Sequence, residues 1–269
     1  MSELLEKILD HKNLTQACRE ICANGTMIEE CDDAGREDWE ALKDQLRQRS
    51  YTPKTNPQAV TDKIIQQGIA QILSPVCALA FSENCYGHCP GKSREMAVRE
   101  LLRLREEGYL WVVDIDLQHC YENVQQDRLM SLVHNMIHDG DTESLIRKYL
   151  KAGIITQGMD AYRAENAAQR ASLPALLLNV LLNELDKELE NRGLRFVRYA
   201  DDCVIAVKSE SSAKRVMSSV PDWIQRKLGF EASAVKIKIA RPAKLKYLRL
   251  GYYTDVLGDT IPSYETKIF

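Results

Sequence analysis

Two neighbouring carboxylates, Asp201 and Asp202, stand between two short apolar runs, Phe196-Val197-Arg198-Tyr199 before them and Cys203-Val204-Ile205-Ala206-Val207 after them. Runs of β-branched and aromatic residues separated by so tight a connection predict a β-hairpin with both acids at its tip. An earlier run, Leu110-Trp111-Val112-Val113-Asp114-Ile115-Asp116, stays apolar until it closes on acids, the pattern of a strand in the middle of a sheet. Taken alone, an Asp-Asp turn most often caps backbone amides. Like charges side by side repel, however, and a bound cation is the simplest relief. Adding Asp116 at the end of a separate strand turns the hairpin into a candidate cation site. Magnesium takes hard oxygen ligands and keeps its own waters and substrate phosphates, so two or three aspartates at strand ends suffice.

Helical spacing surrounds these strands. Residues 2–49 read as polar helix, and Ser50 to Pro57, with two prolines, reads as a loop. A helix follows with Thr61 as its N-cap, Ile64, Ile65, Ile69, Ile72 and Leu73 on one side, and Pro75 just past its end. Ser93 starts another that Gly108 stops. Further helices are expected over 127–137, 144–150 and 174–191, the last repeating Leu177, Leu181, Leu185 and Leu189. Beyond the hairpin, a helix carrying Ala213, Val216, Met217 and Val220 is expected to be perturbed by Pro221 and to resume with Ile224 and Leu228, and residues 236–261 read as short strands. Strands and helices mix without strict alternation, which predicts an α+β fold.

A chain of 269 residues, 45% hydrophobic and 28% charged, is an ordinary soluble globular composition. No apolar run is long enough for a membrane span and the N-terminus has no secretory pattern, so a cytoplasmic location without membrane contact is expected. Eight cysteines in a chain of this length are expected to be reduced thiols. Cys18-x3-Cys22 and Cys85-x3-Cys89, the latter enclosing His88, invite a zinc reading, but the two-residue spacing usual for zinc ribbons is absent. The net charge is −3, yet Arg226, Lys227, Lys236, Lys238, Arg241, Lys244, Lys246 and Arg249 cluster late in the chain. They could track a phosphate backbone or form a solvated face.

The block from Val112 to Val124, followed by Arg195-Phe196-Val197-Arg198-Tyr199-Ala200-Asp201-Asp202-Cys203, resembles the two catalytic motifs of group II intron-encoded reverse transcriptase/maturases. Ser82 to Gly87 with Pro90-Gly91, Leu182 to Leu189, and Arg241 to Leu248 are similar to the same family, so the resemblance runs over most of residues 58–255. It implies the fingers and palm of a right-hand polymerase, with an antiparallel palm sheet packed on helices. It also implies an RNA-directed DNA polymerase, a nucleotidyltransferase that uses two Mg²⁺ ions, with Mn²⁺ able to substitute. The implied metal ligands and catalytic residues are Asp116, Asp201 and Asp202, with Asp114 structural. Tyr121 falls at the family's aromatic steric gate against a ribose 2′-hydroxyl, although a core tyrosine is the plainer reading. Gln169 matches the glutamine of the Pro-Gln-Gly-Gly motif, and Lys236 the lysine that approaches the nucleotide phosphates. The implied partners are an RNA template, intron RNA, a DNA primer and a deoxynucleoside triphosphate, with a homodimer left open. The corresponding division is a helical extension over 1–50, a shortened fingers-like part over 51–110, and a palm with some fingers-side helices over 111–269.

The chain departs from this pattern in places that bear on activity. Arg170 and Ala171 follow Gln169 where the family has glycines that let the backbone approach the nucleotide. Cys89 stands where the family usually has an arginine before Pro-Gly, and the fingers hairpin before Thr61 is reduced to 56–60. Fewer cations should weaken binding of a triphosphate. Phe269 comes before the helical thumb of the family, so low processivity is expected. A catalytically weakened, maturase-type module that binds intron RNA and assists splicing is therefore the alternative. A palm nucleotide cyclase also pairs metal-bound carboxylates, but the similarity around Tyr199 and Lys244 argues against it. No Gly-x-Ser-x-Gly elbow, His-Glu-x-x-His helix or phosphate-binding glycine loop is present, which argues against a hydrolase.

Overall fold

The computed structural model describes residues 2–22, 36–54, 60–117, 124–153, 172–230, 236–240, 250–254 and 260–264. In chain order its elements are α1 (Glu3–Leu9), α2 (His11–Cys22), α3 (Arg36–Arg47), α4 (Val60–Ala78), α5 (Arg94–Glu106), β1 (Trp111–Asp116), α6 (Gln126–Ile137) and α7 (Gly140–Lys151). There follow α8 (Leu173–Asn191), β2 (Arg195–Tyr199), β3 (Asp202–Val207), α9 (Glu210–Leu228), β4 (Lys236–Ala240), β5 (Leu250–Thr254) and β6 (Thr260–Tyr264). The fold is α+β, and the chain divides into two compact units, each made of two stretches: 1–81 with 125–180, and 82–124 with 181–269.

The first unit is helical. α4 packs against α1, α2 and α6, and α7 packs against α1 and α6. Leu14, Ala17 and Ile64 form a buried cluster with Cys18, Ile21, Trp39 and Val60 against it. One buried acid organises the loop ahead of α4. Asp62 accepts from Tyr51 Oη at 2.6 Å, Tyr149 Oη at 3.0 Å and the Lys54 amide at 3.0 Å. Burial and the neighbouring carboxylate both raise the pKa of these tyrosines, so the hydroxyls stay protonated as donors.

Two expectations for this unit are corrected. α4 begins at Val60, so Thr61 lies in its first turn, and Pro75 sits inside the helix, which runs on to Ala78. A proline there removes one N–H near the C-terminus, where the helix has few turns left to disturb. α7 begins a turn earlier than Ser144 because the Asp139 side chain accepts from the Thr142 amide at 2.9 Å and caps the helix.

The second unit holds a four-stranded sheet in the order β2-β3-β1-β4, all neighbours antiparallel. β1 is an interior strand, as its continuous apolar run predicts. α5 packs on β2 and β3, while α9 lies against β1, β3 and β4. Ser93 caps α5 by accepting from the Met96 amide, and Gly108 follows the helix with φ +87°, the left-handed conformation expected of a stop signal. α9 continues through Pro221 to Gly229, also left-handed at φ +75°. β5 and β6 form a separate two-stranded ribbon. No helix among the described residues is long and apolar enough to cross a membrane.

Candidate active site

Strand register brings the distant acids together. Asp116, the last residue of β1, is paired with Asp202 at the start of β3 on one side and with Lys236 at the start of β4 on the other. Tyr199 pairs with Asp202 in turn, so one row across the sheet reads Tyr199, Asp202, Asp116, Lys236. The row two residues along reads Val197, Val204, Asp114, Lys238. Directly opposed residues share a face of the sheet, with Cβ atoms about 4.5–5.5 Å apart. Asp116 and Asp202 are thus like charges held side by side, an arrangement that costs stability unless cations offset it. The β4 lysines supply part of that offset. Asp114 shows the balance: burial pushes its pKa up, Lys238 pulls it down, and Asp116 pushes it up again.

Asp201 enters through the hairpin turn. Its carbonyl accepts from the Leu117 amide at 3.2 Å, which ties the turn to the end of β1. Asp116, Asp201 and Asp202 are all partly exposed. The turn itself is unusual, because Ala200 has φ +55°. This first loop position of a two-residue hairpin is where glycine is preferred when φ is positive, and for an alanine the left-handed conformation costs roughly 1–2 kcal/mol.

Three sets of contacts hold Ala200 there. First, the segment before α5 runs along the free edge of β2: Arg198 N–H donates to Asn84 O at 2.9 Å, Tyr86 N–H donates to Arg198 O at 2.8 Å, and Cys85 forms a parallel bridge with Arg198. Second, Gly87 lies directly on the turn. A Cβ at Gly87 would come 2.3 Å from the Ala200 nitrogen, so only glycine allows this approach. Third, Arg198 reaches the turn from the opposite face of the sheet. Its Nη1 donates to Ala200 O at 2.9 Å, while Nε and Nη2 form a fork with Asp186 of α8 at 2.7 and 2.6 Å. Both side chains are fully buried. Burial opposes the charge on Arg198, and Asp186 together with Cys85 and Cys89 outweighs it, so its pKa is raised.

Beside this pair, Arg198 Nη2 also approaches Cys85 Sγ at 3.1 Å, and Cys85 Sγ lies 3.2 Å from Cys89 Sγ. The hydrogen bond between these two thiols lowers the pKa of Cys89 and raises that of Cys85. Cys89 is therefore committed to a buried thiol pair. Cys77, Cys89 and Cys203 are thiols outside any disulfide.

Among the described residues, no three carboxylate, imidazole or thiol groups converge into a ready-made metal cage. Cys85, His88 and Cys89 are not drawn together into such a group. For magnesium the donor set is suitable in kind: hard oxygens at strand ends, partly exposed, in a row that leaves coordination positions for water and phosphate. Lys236 stands in that row as well, whereas Tyr121 and Gln169 lie outside the described residues. Sequence reasoning assigned no role to Arg198, Asp186 or Gly87. The available signals were a charged residue inside the apolar strand 196–199 and an acid beside Leu185 in the leucine repeat of α8.

A family profile described as "Reverse transcriptase (RNA-dependent DNA polymerase)" matches residues 43–252. The "Uncharacterized 91 kDa protein in cob intron" of Schizosaccharomyces pombe is 28% identical over 196 residues, covering 70% of this chain and 24% of that protein. "Protein YkfC" of Escherichia coli is 31% identical over 157 residues, covering 54% of this chain and 41% of its own. "Group II intron-encoded protein LtrA" of Lactococcus lactis subsp. cremoris is 29% identical over 172 residues, covering 59% of this chain and 28% of that protein. The chain thus spans less than half the length of each of these curated relatives.

Proposed function

The chain belongs to the reverse transcriptase (RNA-dependent DNA polymerase) family, alongside group II intron-encoded and intron maturase proteins. On that premise we propose that it carries the palm of a group II intron reverse transcriptase and adds deoxynucleotides to a DNA primer on an RNA template. The observation that carries this reading is the single row in which Asp202, Asp116 and Lys236 meet from three strands, with Asp201 tied to the end of β1.

Asp116, Asp201 and Asp202 would hold two Mg²⁺ ions, for which Mn²⁺ can substitute. Such ions lower the pKa of an attacking hydroxyl and neutralise the leaving pyrophosphate. The protein's part is positional. The sheet fixes Asp116 against Asp202, and the turn brings Asp201 to the same end. Lys236, next in the row, is suited to a triphosphate oxygen, and removing it should weaken nucleotide binding about tenfold, the value of one charge-assisted hydrogen bond. Tyr121 is proposed as the gate against ribonucleotides and Gln169 as a nucleotide contact. Primer extension on an RNA template with Mg²⁺ or Mn²⁺ tests the reading, and a wild-type chain that incorporates nothing would refute it.

One observation favours a second reading, an RNA-binding maturase module with weakened catalysis. Position 89 offers a buried thiol turned to Cys85 and so no cation for a triphosphate. Intron RNA binding that survives Asp201→Ala, depends steeply on salt and barely on Mg²⁺, together with absent primer extension, would decide for it.

A further inference from the structure

The carboxylate row and the buried Arg198–Asp186 pair lie on opposite sides of the same hairpin. Side chains alternate along β2, so Arg198 points away from the face that Tyr199 shares with Asp202 and Asp116. Its guanidinium nevertheless reaches the turn, because Nη1 donates to the carbonyl of Ala200 at 2.9 Å. That carbonyl belongs to the residue held at φ +55°, immediately before Asp201. The fork to Asp186 at 2.7 and 2.6 Å locks the plane of the guanidinium, and Nη2 is engaged by Cys85 Sγ as well.

A buried ion pair is a poor device for stability alone. Desolvating both ions consumes most of what their attraction returns, and apolar side chains of similar volume often stabilise equally well. Directional hydrogen bonding is what an apolar pair cannot supply. Lysine in place of Arg198 would keep the charge but lose the rigid fork that serves a carboxylate and a carbonyl at once.

We infer that Arg198 and Asp186 are positioning residues: through the Ala200 carbonyl they set the conformation of the turn that presents Asp201 and Asp202. This rests on the metal-binding reading of those aspartates for its functional consequence, though its structural part does not. The turn is also bonded through Asp201 O to the Leu117 amide, and that hydrogen bond reports whether the turn stays in place.

The test uses the full chain as wild type, the double variant Arg198→Met with Asp186→Leu, Arg198→Lys, and Asp201→Ala as reference. Three quantities are read: the thermal transition, hydrogen exchange at the Leu117 amide, and binding of Mn²⁺ alone by electron paramagnetic resonance. The double variant should keep a cooperative transition, exchange Leu117 at least tenfold faster than wild type, and bind Mn²⁺ at least tenfold more weakly. Arg198→Lys, which keeps the core charged, should shift both readouts in the same direction by a smaller factor. It also decides the matter if the double variant does not fold. Wild-type exchange at Leu117 and wild-type Mn²⁺ affinity in either folded variant would overturn the inference. If Asp201→Ala itself keeps full Mn²⁺ binding, the metal reading fails separately, and exchange at Leu117 still decides whether Arg198 positions the turn.

Discussion

Asp62 in the helical unit is 2% exposed and Asp186 in the sheet unit 0%, yet the donors around them differ in kind. Asp62 is met by two tyrosine hydroxyls and one backbone amide, all neutral, which together fasten the loop 51–54 to α4 and α7. Asp186 is met by the Arg198 guanidinium, which also donates to the Ala200 carbonyl and to Cys85 Sγ. A neutral knot spreads its load over several elements, so losing one donor leaves the others in place. A charged fork concentrates it on one residue, whose loss strands a buried carboxylate and releases the Ala200 carbonyl together.

The largest effect is expected from breaking the fork on one side. Arg198→Met should cost about 3–5 kcal/mol of unfolding free energy by leaving Asp186 buried and unpaired, read from urea midpoints. Adding Asp186→Leu should recover most of it, and a single variant that costs nothing would remove the contrast with Asp62. Next is Gly87→Ala, whose Cβ would fall 2.3 Å from the Ala200 nitrogen. Overpacking of this kind costs about 1–3 kcal/mol, and primer extension should fall further than the loss of folded protein explains. In the helical unit, Tyr149→Phe removes one of three donors to Asp62 and should cost about 1–2 kcal/mol without changing the metal dependence of extension.

The smallest effect is at the surface. Arg49 Nε donates to Asp141 at 2.8 Å and holds that carboxyl below its usual pKa. A carboxylate depressed in the folded state contributes stability above its unfolded pKa of about 3.9 and loses it as pH falls through the folded value. Asp141→Asn should therefore cost under about 1 kcal/mol at neutral pH. The difference between variant and wild type should close on acidification, and thermal melts from neutral pH down to the acid end of the carboxylate range check this.

Much of the sheet unit was legible because its signals are local. The apolar run to Asp116, the acids at 201 and 202, Ser93 ahead of α5 and Gly108 behind it each mark an element by chemistry within a few residues. The early start of α7 was less so, since its cap is Asp139 beyond the apolar periodicity that suggested Ser144. Pro75 misleads because proline is tolerated in a last turn once the rest of the helix is packed. The positioning pair is hidden for another reason. Asp186 and Arg198 sit on a helix and a strand joined through Gly193, and only the packing of α8 on the sheet reveals that one acid in a leucine repeat faces one arginine in an apolar strand.

The central claim is that acids from two separate strands and their turn form one catalytic unit. The most direct measurement is the single-nucleotide incorporation rate on an RNA template for Asp116→Asn, Asp201→Asn and the double variant, with Asp114→Asn beside them on the same strand. Residues that act as a unit are not additive. Both single variants and the double variant should fall to the same background, while Asp114→Asn stays within a few-fold of wild type. Losses that multiply in the double variant, or an Asp201→Asn chain that extends at the wild-type rate, would contradict the account.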